Sequence, residues 1–205
     1  KGKWAQGITP RNFHWVITDR LAVCERPGGY GDSHRKVRRQ EEIIWIREQG
    51  FHHVVSLSAS PHNLHNYDEL GVKWLHRPFP RADDAPRYLQ TIYEDLQAHV
   101  DAGNAVLFHQ EEVSDSLVGL MAGYVVWSNL VPETHQATAV TEQIVGRRLG
   151  PRGRDLVTIA VEIRDQPLPP RPKAEPTTEP TGDDQGTAEE ATETSAEGAA
   201  GQDEG

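Results

Sequence analysis

Between Phe13 and Arg148 the chain alternates short β-branched or apolar runs with stretches of helical period, and this alternation limits the fold more than any other feature. Residues 14–18, 21–24, 53–57, 72–76 and 105–108 read as strands. Between and after them come the helices. The first covers 35–49, with Val37, Ile43, Ile44 and Ile46 turned inward and Gly50 as its stop. A short one covers 63–70, and a longer one opens at Pro86 and closes at Gly103. An apolar helix begins near Asp115, and another runs from Pro132 to about Arg148. Residues 156–163 read as a last strand or a short helix. Strands alternating with helices imply an α/β fold with a central, mainly parallel sheet flanked by helices. Ligands of such sheets bind beyond the carboxyl ends of the strands. The loop 109–114 joins the most buried-looking strand to the most buried-looking helix, so it is the first place to look for a site.

The rest of the chain narrows the class. From Gln166 onward the residues are Pro, Thr, Glu, Ala and Gly with almost no large apolar side chain, which predicts a disordered acidic tail over 166–205. That tail carries −8 of the formal −10, leaving −2 on residues 1–165. Residues 1–12 read as an N-terminal extension and 13–165 as the folded domain. A domain that is not basic overall is a poor nucleic-acid binder, and none is expected. One cysteine, Cys24, excludes a disulfide framework and a zinc–thiolate site, and makes a reducing cytoplasm the default. The uncharged stretch 116–132 is too short and too rich in Gly, Ser and Asn for a membrane span, so no membrane is expected either.

The segment Val106-Leu107-Phe108-His109-Gln110-Glu111-Glu112-Val113-Ser114-Asp115-Ser116, followed by an apolar helix, resembles the signature of tyrosine and dual-specificity protein phosphatases. That signature is an apolar strand, then His-Cys-x-x-Gly-x-x-Arg, then a helix. The similarity extends upstream in family order. Phe13-His14-Trp15-Val16 and Leu21-Ala22 look like the first strands of such domains. Gly50-Phe51-His52-His53-Val54-Val55-Ser56-Leu57 looks like their glycine-led strand, and Gly71-Val72-Lys73-Trp74-Leu75-His76-Arg77-Pro78-Phe79 like the strand before the general-acid loop. Together these cover roughly residues 12–150. The resemblance implies a dual-specificity-phosphatase-like fold.

The chemistry implied by that resemblance does not carry over. In the family a cysteine thiolate attacks phosphorus and an arginine grips the phosphate oxygens. Here Gln110 stands in the cysteine's place, Val113 in the glycine's and Ser116 in the arginine's; His109 alone is kept. A carboxamide is no nucleophile at neutral pH. Cys24 does not substitute, because the family's spacing puts Tyr30 where an arginine is needed. Glu111, Glu112 and Asp115 also place three carboxylates where a dianion would sit. Unit charges ~4 Å apart repel by about 4 kcal/mol at an effective dielectric of 20. Either one of the three turns inward and occupies the phosphate position, or all point to solvent as helix-start residues. Asp83, three residues before Pro86, matches the family's general acid; it reads equally as a charge at a helix start.

Other clusters have bland readings beside functional ones. His34, Arg35, Lys36, Arg38 and Arg39 could bind an anion, or form a solvated face paired with Glu41 and Glu42. His52, His53, His62, His65, His76 and His109 lie near strand ends, and with Glu111, Glu112 or Asp115 could hold a metal, but their spacing matches no ligand motif. No metal and no cofactor is therefore expected. Residues 146–154 read as a helix stop with surface arginines. The functional expectation is a pseudophosphatase, a binding or regulatory protein that holds a protein partner or small ligand in the former substrate cleft, rimmed by 77–85 and 109–115. The alternative is a hydrolase with metal-assisted rather than cysteine chemistry.

Overall fold

The computed structural model describes residues 6–29 and 36–169. Residues 170–205 of the acidic tail, and His34 and Arg35 of the basic cluster, lie outside the described residues; residues 166–169, expected to belong to the disordered tail, are instead ordered, because Leu168 bonds the Gln90 side chain. Among the described residues five strands form one sheet in the order β1-β2-β5-β3-β4. They are β1 (His14–Ile17), β2 (Leu21–Glu25), β3 (His53–Ser56), β4 (Trp74–His76) and β5 (Val106–Gln110). β1 is antiparallel to β2; every other pairing is parallel. The α-helices of the described residues flank the sheet: α1 (Lys36–Glu48), α2 (His65–Glu69), α3 (Ala85–Asp101), α4 (Asp115–Trp127), α5 (Thr134–Val145) and α6 (Pro151–Asp165).

The helices divide between the faces, and alternation along β5 shows how. Val106 and Phe108 join the core formed with α3, α4, α5 and α6, while Leu107 joins the core formed with α1 and α2. Being central and parallel, β5 is covered on both sides, so Val106, Leu107 and Phe108 are apolar without a break. Helix α4 shows the same effect: Leu117 through Val126 are all buried, because α4 is enclosed by the sheet and other helices rather than lying on the surface. It meets α6 backbone to backbone. A Cβ on Gly119 would overlap the Cα and carbonyl of Gly153.

Of the strand and the short helix left open for residues 156–163, the structure has the helix, as part of α6, with Leu156, Val157, Ala160 and Ile163 buried at helical spacing. Other expectations need correction. Pro132 does not open α5, which begins at Thr134 and ends at Val145 with Gly146 left-handed at φ 71°. Val37 is 67% exposed rather than inward. The buried face of α1 is Arg39, Glu42, Ile43 and Ile46, so two charged residues sit where an apolar pattern was expected. They are tolerated because they are bonded. Glu42 accepts from the Gly28 N–H at 2.6 Å and from Arg38 Nε at 2.7 Å, and Arg39 donates to Asn66 Oδ1 at 2.7 Å. The Arg38–Glu42 pair is the helix-face pairing expected of the basic cluster.

Both ends of the described chain pack against helices. The Ile8 N–H bonds Glu41 O at 3.1 Å, holding residues 7–8 on α1. Leu168 exchanges two bonds with the Gln90 side chain on α3, at 2.8 and 3.1 Å. Among the described residues no helix is long and apolar enough to cross a membrane.

Candidate functional site

The carboxyl end of β5 is fixed by both neighbouring strands. His109 O accepts from the Leu57 N–H at 2.8 Å, and Gln110 O accepts from the Arg26 N–H at 2.7 Å. His109 and Gln110 are thus the last residues of the strand rather than the first of the loop, as the sequence had suggested. The loop proper is 111–114, and it ends in a helix cap. Ser114 is extended, and its Oγ accepts from the Leu117 N–H at 3.2 Å. The same hydroxyl donates to Gln110 Oε1 at 2.5 Å, so the Gln110 amide is folded across the loop onto the cap. Arg147, from the segment after α5, donates to Val113 O at 2.9 Å and ties the loop from outside.

The acidic residues of the loop separate. Asp115 follows neither expectation: it turns neither into the loop nor out to solvent. Its Oδ1 accepts from the Gly150 N–H at 2.6 Å and its Oδ2 from the Gly153 N–H at 2.9 Å. These donors open α6, and a carboxylate satisfies both the orphan N–H groups and the positive end of the helix. Glu111 is half-buried and Glu112 exposed. Ser116 is half-buried in the first turn of α4. Asp83 and Asp84 are exposed in the 3₁₀ turn Ala82–Asp84, and Asp84 stands at the N-cap of α3 without a side-chain cap bond.

Solved structures share this fold. A kinase-associated phosphatase with its catalytic-site cysteine changed to serine superposes with a TM-score of 0.64 at 16% identity, over 78% of this chain and 99% of that one. The fold is that of the tyrosine and dual-specificity phosphatases. Tk-PTP in its active form gives a TM-score of 0.59 at 16% identity over 76% of this chain and 97% of its own. Human DUSP28 gives 0.56 at 14% identity over 77% and 99%. No protein-family model matches the sequence, and no curated protein matches it.

Within this phosphatase fold, two buried groups stand beside the loop. His109 has no exposed surface, and neither ring nitrogen has a hydrogen-bond partner. It faces Tyr67 at 5.9 Å between ring centres. Burial, with the charge of Arg26 and the nearby His76, pushes its pKa down to about 3. His109 is therefore a neutral imidazole. Cys24 lies opposite it in register on β2 and is fully buried. Burial, then Glu42 and Glu25, raises the pKa of the thiol well above its ordinary value, so it is held as the unreactive thiol.

The histidines expected near strand ends do not gather on the loop. His76 Nε2 bonds Ser58 O at 2.8 Å. His52 and His53 meet at the other end of the sheet, where the amino end of β3 lies, and a third histidine from α3, His99, joins them. Sequence spacing gave no signal for His99, which is brought there by the turn that returns α3 into β5. Arg26 and Arg147 were likewise missed as supports of the loop. Each acts partly through backbone, which leaves no motif.

Proposed function

We propose that this phosphatase-fold protein is non-catalytic, a binding or regulatory protein that holds a protein partner or small ligand in the cleft rimmed by 77–85 and 109–115. The observation that carries this reading is Gln110. It stands at the carboxyl end of the central strand, where the phosphatase signature places its nucleophile, and its amide is spent on the Ser114 hydroxyl. Three further features support it. The chain's single thiol is buried on β2. Ser116 offers no guanidinium to hold an oxyanion. Glu111 and Glu112 add negative charge to the loop that would receive a dianion. Metal-assisted hydrolysis would call for ligands at this loop, and the described histidines that come together do so at the opposite end of the sheet.

The ligand of such a cleft would not be a phosphate dianion. Calorimetric titration of the full chain with inorganic phosphate, and separately with orthovanadate, is expected to give no saturable heat. Binding of either anion with a dissociation constant near 1 μM, about 8 kcal/mol, would overturn the proposal.

A further inference from the structure

We propose that His52, His53 and His99 form a binding site for a divalent transition-metal ion of the zinc type, at the end of the sheet remote from Gln110. Each of the three offers a ring nitrogen, and these nitrogens all lie within 4.8 Å of one another. The ring centres are 4.7, 4.9 and 5.2 Å apart. Tetrahedral zinc with nitrogens at about 2.05 Å needs neighbouring ligands about 3.4 Å apart. All three residues are half-buried rather than locked in the core, so modest ring rotation closes that gap.

The backbone brings the ligands together. His99 is in the last turn of α3, and its carbonyl accepts from the Asn104 N–H at 2.9 Å. The turn then leads to Ala105, whose carbonyl accepts from the His52 N–H at 2.8 Å, and His53 pairs with Val106. One short return from helix to strand therefore sets both sides of the site.

A second observation points the same way. His53 Nδ1 is buried and has no hydrogen-bond partner. A buried polar atom without a partner is costly, and a ligand would satisfy it. His53 and His99 line a cavity of about 220 Å³ that Asp95, Arg77 and Phe108 also line. The cavity leaves space for water beside a bound ion. An all-imidazole set suits zinc, nickel or copper ahead of magnesium or calcium, which favour oxygen ligands.

The test is calorimetric titration of the full, untagged chain with Zn²⁺. One ion per chain with micromolar or tighter affinity is expected. His53→Gln and His99→Gln should each weaken it by at least about tenfold, the scale on which even indirect supports of a metal site count. His62→Gln, outside the cluster, should leave it unchanged. Cu²⁺ loaded at one equivalent on the unaltered chain gives a reading independent of variant folding, and its paramagnetic resonance should show three imidazole nitrogens. Absence of a saturable site, affinity indifferent to His53 and His99, or a copper spectrum with fewer nitrogens would each overturn the proposal.

Discussion

Replacing Gly119 by alanine is expected to destabilise the protein by about 2–3 kcal/mol, although the same change on an exposed helix would stabilise it by about 1 kcal/mol. The two effects compete directly. Alanine removes the entropic cost of a glycine inside α4. Its Cβ, however, would meet the Cα, carbonyl carbon and oxygen of Gly153. These are backbone atoms, so no rotamer change relieves the contact, and α6 must move away from α4 as a body. That movement would also pull Gly150 and Gly153 from the Asp115 carboxylate. Packing therefore wins over propensity. Gly119→Val should be worse still and give little folded protein. The check is urea unfolding: a lower midpoint at an unchanged slope is expected for Gly119→Ala. A raised midpoint would show that the helices do not meet at these glycines.

The second large effect concerns pH. The His109 pKa is about 3 in the folded chain against 6.5 when unfolded. The unfolded chain thus binds one more proton than the folded chain between those values, and stability rises with pH across that window. Seen the other way, His109 costs nothing above pH 6.5 and destabilises progressively as pH falls toward 3. Acidification from pH 7 to pH 5 should remove about 2 kcal/mol through this group alone. His109→Leu should flatten that part of the stability–pH curve. It also deletes two buried nitrogens without partners, so it should not be strongly destabilising at pH 7. Equal slopes for the two proteins between pH 5 and 6.5 would show that the imidazole is protonated in the folded state.

Much of the architecture was legible because its signals are local. Apolar and β-branched runs marked the strands at 14, 21, 53 and 105, and an apolar helix after Asp115 marked the element buried among helices on one face of the sheet. Where the reading failed or stayed open, local signal was outweighed by tertiary contact. For 156–163 the sequence left strand and helix open, since Val157, Ile159, Val161 and Ile163 favour a strand by type; the segment is α6, because Leu156, Val157, Ala160 and Ile163 fit one buried helical face. Val37 looked like core, but the inward face of α1 was carried by Arg39 and Glu42, whose partners Asn66 and Gly28 are distant in sequence.

The candidate site divides in the same way. The identities of Gln110, Val113 and Ser116 were readable from a motif of fixed spacing. The destination of Asp115 was not. It depends on Gly150 and Gly153, which the chain returns to α4 only after forming α5. The histidine cluster was half visible as the adjacent pair His52 and His53. Its third member, 46 positions beyond His53, comes into reach only because α3 ends beside the amino end of β3.

The most direct measurement of the central claim is hydrolysis of a generic aryl phosphate by the full chain, with and without added divalent metal ions. Release no faster than in buffer is expected under both conditions. A sustained turnover that disappears when Gln110, Glu111 or Glu112 is replaced would contradict a non-catalytic cleft.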